Sequence, residues 1–313
     1  MLPNLIVIGS RKSATTSLHY YLGLHPEIFM SRAYKELNFF VKEMRWKKGI
    51  RWYEEQFPVA AAIRGESSPN YSRFPAWKGV PERMHALIPR AKLIYMVRDP
   101  VERLLSAYHH DHKGGVEART FDEMMKSNWD ENPYVSDSRY HLQLMQFLKY
   151  YPESQIRVVS SEDLSQDPFG VMDETFKFLG VDSAFRSSEF FKKINVLAET
   201  VRRKQCKLER FADMCERKSQ WLGQVADSLV PIYFRLKKKK PMEPRWDARP
   251  PVVSVEVRQR LREYFRTDIE KLSRLTGQSF EHYLVEVVSP SHSKISKQAQ
   301  QWGQAFNWQK EKG

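Results

Sequence analysis

L-I-V-I-G-S-R-K-S-A-T-T-S-L spans residues 5–18, and A-K-L-I-Y-M-V-R-D-P-V-E-R-L-L-S-A-Y spans residues 91–108. Each reads as a short apolar run, a polar corner and a helix. Residues 5–8 are all aliphatic, and the run meets a loop at Gly9-Ser10. Continuous runs of this kind form parallel strands buried on both faces. Helical spacing follows over 15–24, with Leu18, Tyr21 and Leu22 on one face and Pro26 as a stop. In the second stretch Leu93–Val97 is the strand, and Pro100 ends it. A proline also suits the first turn of the helix expected over 101–112.

The same alternation continues outward. A-A-I-R-G-E-S (61–67) is a strand candidate weakened by Gly65, and 81–89 is a helix bounded by prolines. A helix is predicted over roughly 138–150. I-R-V-V-S-S-E-D-L (156–164) is a strand running into a helix start, with Ser160 or Ser161 as cap. The amphipathic helix 168–180 ends at Gly180. Residues 255–275 return to helical spacing, with Val257, Leu261, Tyr264, Phe265, Ile269 and Leu272 on one face. Strands alternating with helices predict an α/β fold: a central parallel sheet flanked by helices. We find no internal repeat. A single domain is expected over 1–288, with a charged helical insertion around 200–250 that covers the substrate cleft. Residues 289–313 form a polar C-terminal tail.

Lys and Arg total 51 against 38 Asp and Glu, a net charge of +13. That balance favours anionic partners. A hydrophobic content of 41% with 13% aromatics excludes a disordered chain. Two cysteines, Cys206 and Cys215, exclude a disulfide framework and a Cys-rich zinc module. Nine helical residues between them would set their backbones ~13 Å apart, so free thiols are expected. No apolar run approaches the ~18 residues of a membrane span. The N-terminus reads as a strand and not as a signal peptide, so a cytoplasmic protein is expected. Lys237–Lys240 reads as a solvated loop, and no nucleic-acid-binding signature accompanies it.

The loop from Gly9 to Ser17 can offer backbone amides and a helix N-terminus to a phosphate, with Lys12 as a mobile cation. Taken alone it also fits an ordinary strand–helix connection. It lacks the Gly-Lys-[Ser/Thr] of a nucleoside-triphosphatase loop. Asp99 follows Arg98, which is unusual for a magnesium ligand. Arg98 sits at the end of a central strand, where open α/β sheets bind ligands, and Ser106 lies in the next helix. Together they could hold one phosphate. In Y-K-E-L-N-F-F (34–40), Lys35 and Glu36 read as a helix start. His109, His110 and His112 surround Asp111 at a helix end, and no metal site is expected there.

Five motifs in register carry a resemblance. R-K-S-A-T-T-S-L (11–18), K-E-L-N-F-F (35–40), E-S-S-P-N-Y (66–71), R-D-P-V-E-R-L-L-S-A-Y (98–108) and E-D-L-S-Q-D-P (162–168) follow in order. The chain resembles sulfotransferases that use 3′-phosphoadenosine-5′-phosphosulfate (PAPS), in particular the heparan sulfate and carbohydrate type, with their P-loop-like fold. The resemblance covers roughly 4–285, except 200–250. It implies that Arg11, Lys12, Ser13, Ala14, Thr15, Thr16 and Ser17 hold the 5′-phosphosulfate. Arg98 and Ser106 would hold the 3′-phosphate. Glu36 matches the family's catalytic base, with Lys12 assisting the leaving group. Lys35, Glu66, His109 and His110 are acceptor-side candidates, and a His among 109–112 is the rival base. The implied reaction moves a sulfuryl group to a hydroxyl of a carbohydrate or small molecule, anionic acceptors and natural products included. It releases 3′,5′-ADP and needs no metal. Two departures stand out: Ala14 replaces a family Gly, and Ser67 replaces a Lys. The adenine-side loop is not legible; Lys193 and Arg202-Arg203-Lys204 are its candidates. The alternatives are a nucleotide kinase or related NTPase, and a basic polyanion-binding protein.

Overall fold

The computed structural model describes residues 1–32, 36–192 and 250–285. Lys35, Lys193, the 202–204 cluster, both cysteines, the 200–250 insertion with its lysine run, and the 289–313 tail lie outside the described residues.

Five parallel strands form the sheet: β1 (Leu5–Gly9), β2 (Ile28–Met30), β3 (Ile63–Ser67), β4 (Lys92–Val97) and β5 (Ile156–Ser160). Their order is β2-β3-β1-β4-β5. Ile6 pairs with Glu66 on one side and Leu93 on the other, and Tyr95 pairs with Val158. The central position of β1 and β4 explains their unbroken apolar runs. Period-two alternation sends Ile6, Ile8, Leu93, Tyr95 and Val97 to one face, and Leu5, Val7, Ile94 and Met96 to the other.

Helices cover both faces. The second face receives α1 (Thr15–Leu22), and later α8 (Ser161–Gln166) and α9 (Pro168–Leu179), through Leu18, Leu22, Leu164, Met172 and Phe176. The first face receives α3 (Val80–Leu87), α4 (Pro100–Lys113), α7 (Tyr140–Leu148) and the last described helix, α10 (Val255–Thr276). Shorter helices complete the set: α2 (Gly49–Glu54), α5 (Phe121–Met125) and α6 (Pro133–Ser136). In α10 the expected stripe is in place. Leu261, Phe265, Ile269 and Leu272 are buried, while Val257 and Tyr264 pack at its rim. Each fully buried side chain of this size contributes about 1.5–3 kcal/mol. Asp99 caps α4 by accepting from the N–H groups of Val101 and Glu102, and Ser160 caps α8. The expected α/β architecture is therefore the observed one.

Two local expectations differ, and β2, with no counterpart in the sequence reading, has too few residues to show a pattern. Gly65 does not weaken β3: a Cβ there would lie 2.6 Å from the Met30 sulfur and 3.1 Å from Leu5, so the glycine lets the strands' side chains close over it. Residues 36–40 form no helix, and the chain turns at Phe39-Phe40.

Candidate active site

β1 delivers the chain to Gly9, where a Cβ would lie 1.8 Å from Ser72 Oγ and 2.9 Å from the Tyr95 ring. Only glycine fits. The Ser10 N–H donates to Met96 O at 2.8 Å, which joins the loop to β4. The buried Ser10 and Ser13 hydroxyls bond each other at 2.6 Å. Lys12 and Ala14 have φ of 67° and 58°, in the left-handed region. Ala14 occupies the N-cap position of α1 and supplies no side-chain cap. The first-turn N–H groups, at Thr15, Thr16 and Ser17, thus carry the positive end of the helix dipole into the loop. Thr15 is buried, and Thr16 and Ser17 are half-buried.

The C-terminal end of β4 forms the second wall. Arg98 Nη1 donates to the Lys12 carbonyl at 3.2 Å. The Tyr140 hydroxyl donates to Arg98 O at 2.7 Å and accepts from Arg98 N at 3.4 Å, so the arginine backbone is clamped. The next residue donates its N–H to Glu162 at 3.1 Å, and Tyr283 OH donates to Glu162 at 2.9 Å. Burial holds the Asp99 carboxyl above its ordinary range. Ser106 lies about two turns along α4 and is half-buried.

The far end of α4 closes the third side. Arg11 donates to both oxygens of Asp111, at 2.6 and 3.2 Å, and Tyr134 OH donates to the same carboxylate at 3.2 Å. This pair ties the loop to α4 and brings its histidines alongside. Burial and the charge of Lys12 hold the His110 pKa down, while Asp111 and Glu36 act in the opposite sense. Burial, with Lys113, His112 and Lys12, holds the His109 pKa down. Lys12, Glu36 and His110 therefore share one electrostatic neighbourhood. Glu36 is exposed, and Arg45 Nη1 donates to the carbonyls of Glu36 and Leu37 at 2.7 and 2.8 Å. Such a site can hold an anion on a cationic loop and offer a carboxylate to an incoming acid proton.

A family model for the sulfotransferase domain matches residues 2–276. The chain belongs to the sulfotransferase family. Over 207 residues this sulfotransferase is 30% identical to bifunctional heparan sulfate N-deacetylase/N-sulfotransferase 4 of Mus musculus, covering 60% of this chain and 23% of that protein. It is 32% identical over 198 residues to bifunctional heparan sulfate N-deacetylase/N-sulfotransferase 1 of Homo sapiens, covering 57% of this chain and 22% of that one. The chain thus spans less than a quarter of the length of these relatives. Among solved structures, a sulfotransferase from Alicyclobacillus acidocaldarius aligns with a TM-score of 0.64 at 21% identity, covering 90% of this chain and 99% of that chain. That likeness concerns the fold.

The sulfotransferase departs from its family's pattern at two positions with visible consequences. Ser67 is fully buried, and its hydroxyl bonds His19 Nδ1 at 2.9 Å. Ala14 adopts the left-handed conformation, at φ 58°, that a glycine takes without steric cost. A Cβ there costs about 1–2 kcal/mol, and Gly's greater freedom when unfolded returns about 0.4–1. Ala14 is exposed and loses no packing. Ala14→Gly should therefore raise unfolding free energy by about 0.5–1 kcal/mol in urea denaturation. Unchanged or lower stability would contradict the strain assigned to this residue.

The acceptor-side expectations fare differently. The charge of Lys12 acts on both His109 and His110. Glu66 does not face a cleft: its side chain is fully buried and accepts from Tyr53, Tyr71, Ser68 and the Leu37 N–H. Burial raises its pKa while these hydrogen bonds pull it down. Asp111 is taken by Arg11, and His112 Nδ1 lies 3.1 Å from Glu117 O. Among the described residues, no group of three or more His, Cys, Asp and Glu is placed to hold a metal. No described helix is long and apolar enough to cross a membrane. Tyr140 and Asp111 support the site through partners far along the chain, at Arg98 and Arg11, and Arg45 does so through the nearby carbonyls of Glu36 and Leu37.

Proposed function

We propose that this sulfotransferase carries a sulfuryl group from PAPS to a hydroxyl of a carbohydrate or hydroxylated small molecule. The observation that carries the reading is the contact of the Arg98 guanidinium with the Lys12 carbonyl. It sets the end of β4 against the anion loop, so one nucleotide with phosphates at both ends can meet both. Lys12, Ser13, Thr15, Thr16 and Ser17, with the amides of Arg11 and Ala14, take the 5′-phosphosulfate. Arg98 and Ser106 take the 3′-phosphate.

In the proposed step the acceptor oxygen attacks sulfur in line. The bond from sulfur to the 5′-phosphate oxygen breaks, and the acceptor proton passes to the Glu36 carboxylate. 3′,5′-ADP leaves with the charge that Lys12 stabilises. A loose transition state asks mainly for positioning and charge complementarity. Lys35, His109 and His110 line the acceptor side in this proposal. The names of the two mammalian relatives specify heparan sulfate, an anionic glycan. In this chain Lys42, Lys47, Lys48 and Arg51 are exposed close in sequence to Glu36, and the Lys48 ammonium lies 4.9 Å from the Trp52 ring. Cations beside an aromatic face favour an anionic glycan as acceptor.

Arg98→Ala tests the donor assignment. A charge-assisted hydrogen bond contributes about 1.5–3 kcal/mol, so calorimetric affinity for 3′,5′-ADP should fall roughly 10- to 100-fold. Affinity for 5′-AMP should change little. Equal loss for both nucleotides would assign Arg98 to loop support and not to the 3′-phosphate.

A further inference from the structure

We propose that Glu66 is a positioning residue for the proton-transfer step: its buried carboxylate fixes the turn that presents Glu36. The inference rests on the reading of Glu36 as the base. Glu66 lies near the end of β3, paired with Ile6 of β1, and is fully buried. Its Oε1 accepts from Tyr53 OH and Tyr71 OH, each at 2.7 Å, and its Oε2 accepts from Ser68 OH at 2.5 Å. The Leu37 N–H donates to it directly.

Two of those hydroxyls are relays. Ser68 Oγ accepts the Asn38 N–H at 2.9 Å. Tyr71 Oη accepts the Phe39 N–H at 2.9 Å and, more weakly, the Phe40 N–H at 3.5 Å. A hydroxyl has one hydrogen. With that hydrogen given to Glu66, the lone pairs of both oxygens point back at the turn. The backbone N–H groups of residues 37–40 therefore end at one carboxylate, directly or through one hydroxyl. The turn has no strand or helix to satisfy these donors, and buried donors must find partners. Asn38 sits at φ 49°, a conformation that Asn tolerates, and its side-chain oxygen accepts from Asn70 Nδ2 at 3.2 Å. Phe39 stacks on Tyr53 with centroids 4.3 Å apart. Arg45 holds the carbonyls on the other side of the same peptides. The backbone groups from Glu36 to Phe40 are thus anchored by residues outside the turn.

Glu66→Gln keeps the shape but turns an amide N–H₂ toward hydroxyls that are already committed as donors. The first readout is amide hydrogen exchange. Exchange at residues 37–40 should rise about 10-fold or more while β1 and β4 stay protected. The second is single-turnover transfer from PAPS, with a heparan oligosaccharide that keeps its N-sulfates and carries free hydroxyls as acceptor probe. It should fall about 10- to 100-fold, as small misplacements of catalytic groups do, with 3′,5′-ADP affinity within about twofold of wild type. In a Glu36→Gln background, Glu66→Gln should cost nothing further, because its effect runs through Glu36. Unchanged exchange at 37–40, or an equal rate loss in both backgrounds, overturns the proposal. A wild-type rate in Glu36→Gln alone defeats the base reading instead, and the exchange result still judges the anchor. If Glu66→Gln does not fold, Ser68→Ala should release the Asn38 amide and Tyr71→Phe those of Phe39 and Phe40. Release of neither overturns the relay.

Discussion

Lys12→Ala should bring sulfuryl transfer close to background, a loss of roughly 10³-fold, and weaken donor binding as well. Removing one group that stabilises charge developing in a transition state costs about 10²–10³ in kcat. In the proposed function Lys12 also acts in the ground state, since an ammonium beside a phosphosulfate binds it. The substitution is informative because it leaves two of the loop's supports in place. The Arg98 guanidinium bonds the Lys12 carbonyl, which alanine retains, and the Ser10–Ser13 contact does not involve the lysine side chain. Alanine keeps the Cβ at φ 67° that lysine already carries. Transfer from PAPS measured at saturating donor checks the result. A variant within about tenfold of wild type would contradict the assignment of Lys12 to the leaving phosphate.

Glu36→Gln should lower the single-turnover rate by roughly 10²–10⁴, the usual contribution of a general base, and leave affinity for 3′,5′-ADP nearly unchanged. The two effects separate because the backbone of the turn has anchors besides the Glu36 carboxylate. Its carbonyl is held by Arg45, and the amides that follow are held by Glu66, Ser68 and Tyr71. The rival bases are His109, His110 and His112; burial and the charge of Lys12 push the pKa values of the first two down, toward the neutral form that a base requires. Single-turnover transfer by Glu36→Gln, His109→Asn, His110→Asn and His112→Asn distinguishes them. A rate near wild type in Glu36→Gln, with a large loss in one histidine variant, would move the base to that histidine.

The parts legible in the sequence are those whose signal is local. β1 and β4 are read from apolar runs, and α10 from a stripe at helical spacing, because burial on both faces of a sheet or along one face of a helix leaves a periodic mark. Five motifs in register show the family, and the match over residues 2–276 agrees with them. What stayed hidden is non-local. Residues 36–40 read as a helix start because their acidic and aromatic residues suit one. The turn forms instead because its amides find Glu66, Ser68 and Tyr71 about thirty positions on. Arg11 reads as a phosphate ligand, yet its guanidinium meets Asp111 across a hundred residues of chain. Gly65 reads as an interruption, and only the approach of Met30 and Leu5 gives it a purpose. Positive φ at Lys12 and Ala14 carries no sequence mark, since neither residue is one that prefers it.

The most direct measurement is equilibrium binding of the wild-type protein to 3′,5′-ADP, 5′-AMP and ATP with magnesium. A loop without Gly-Lys-[Ser/Thr], joined to an arginine at the end of β4, is suited to a nucleotide with a 3′-phosphate and no triphosphate. The account predicts that 3′,5′-ADP binds tightest without added metal and raises thermal stability with the logarithm of its concentration over Kd. It predicts that 5′-AMP binds at least about tenfold more weakly, the loss of one charge-assisted contact. Preference for ATP with magnesium, or equal affinity for 3′,5′-ADP and 5′-AMP, would contradict it.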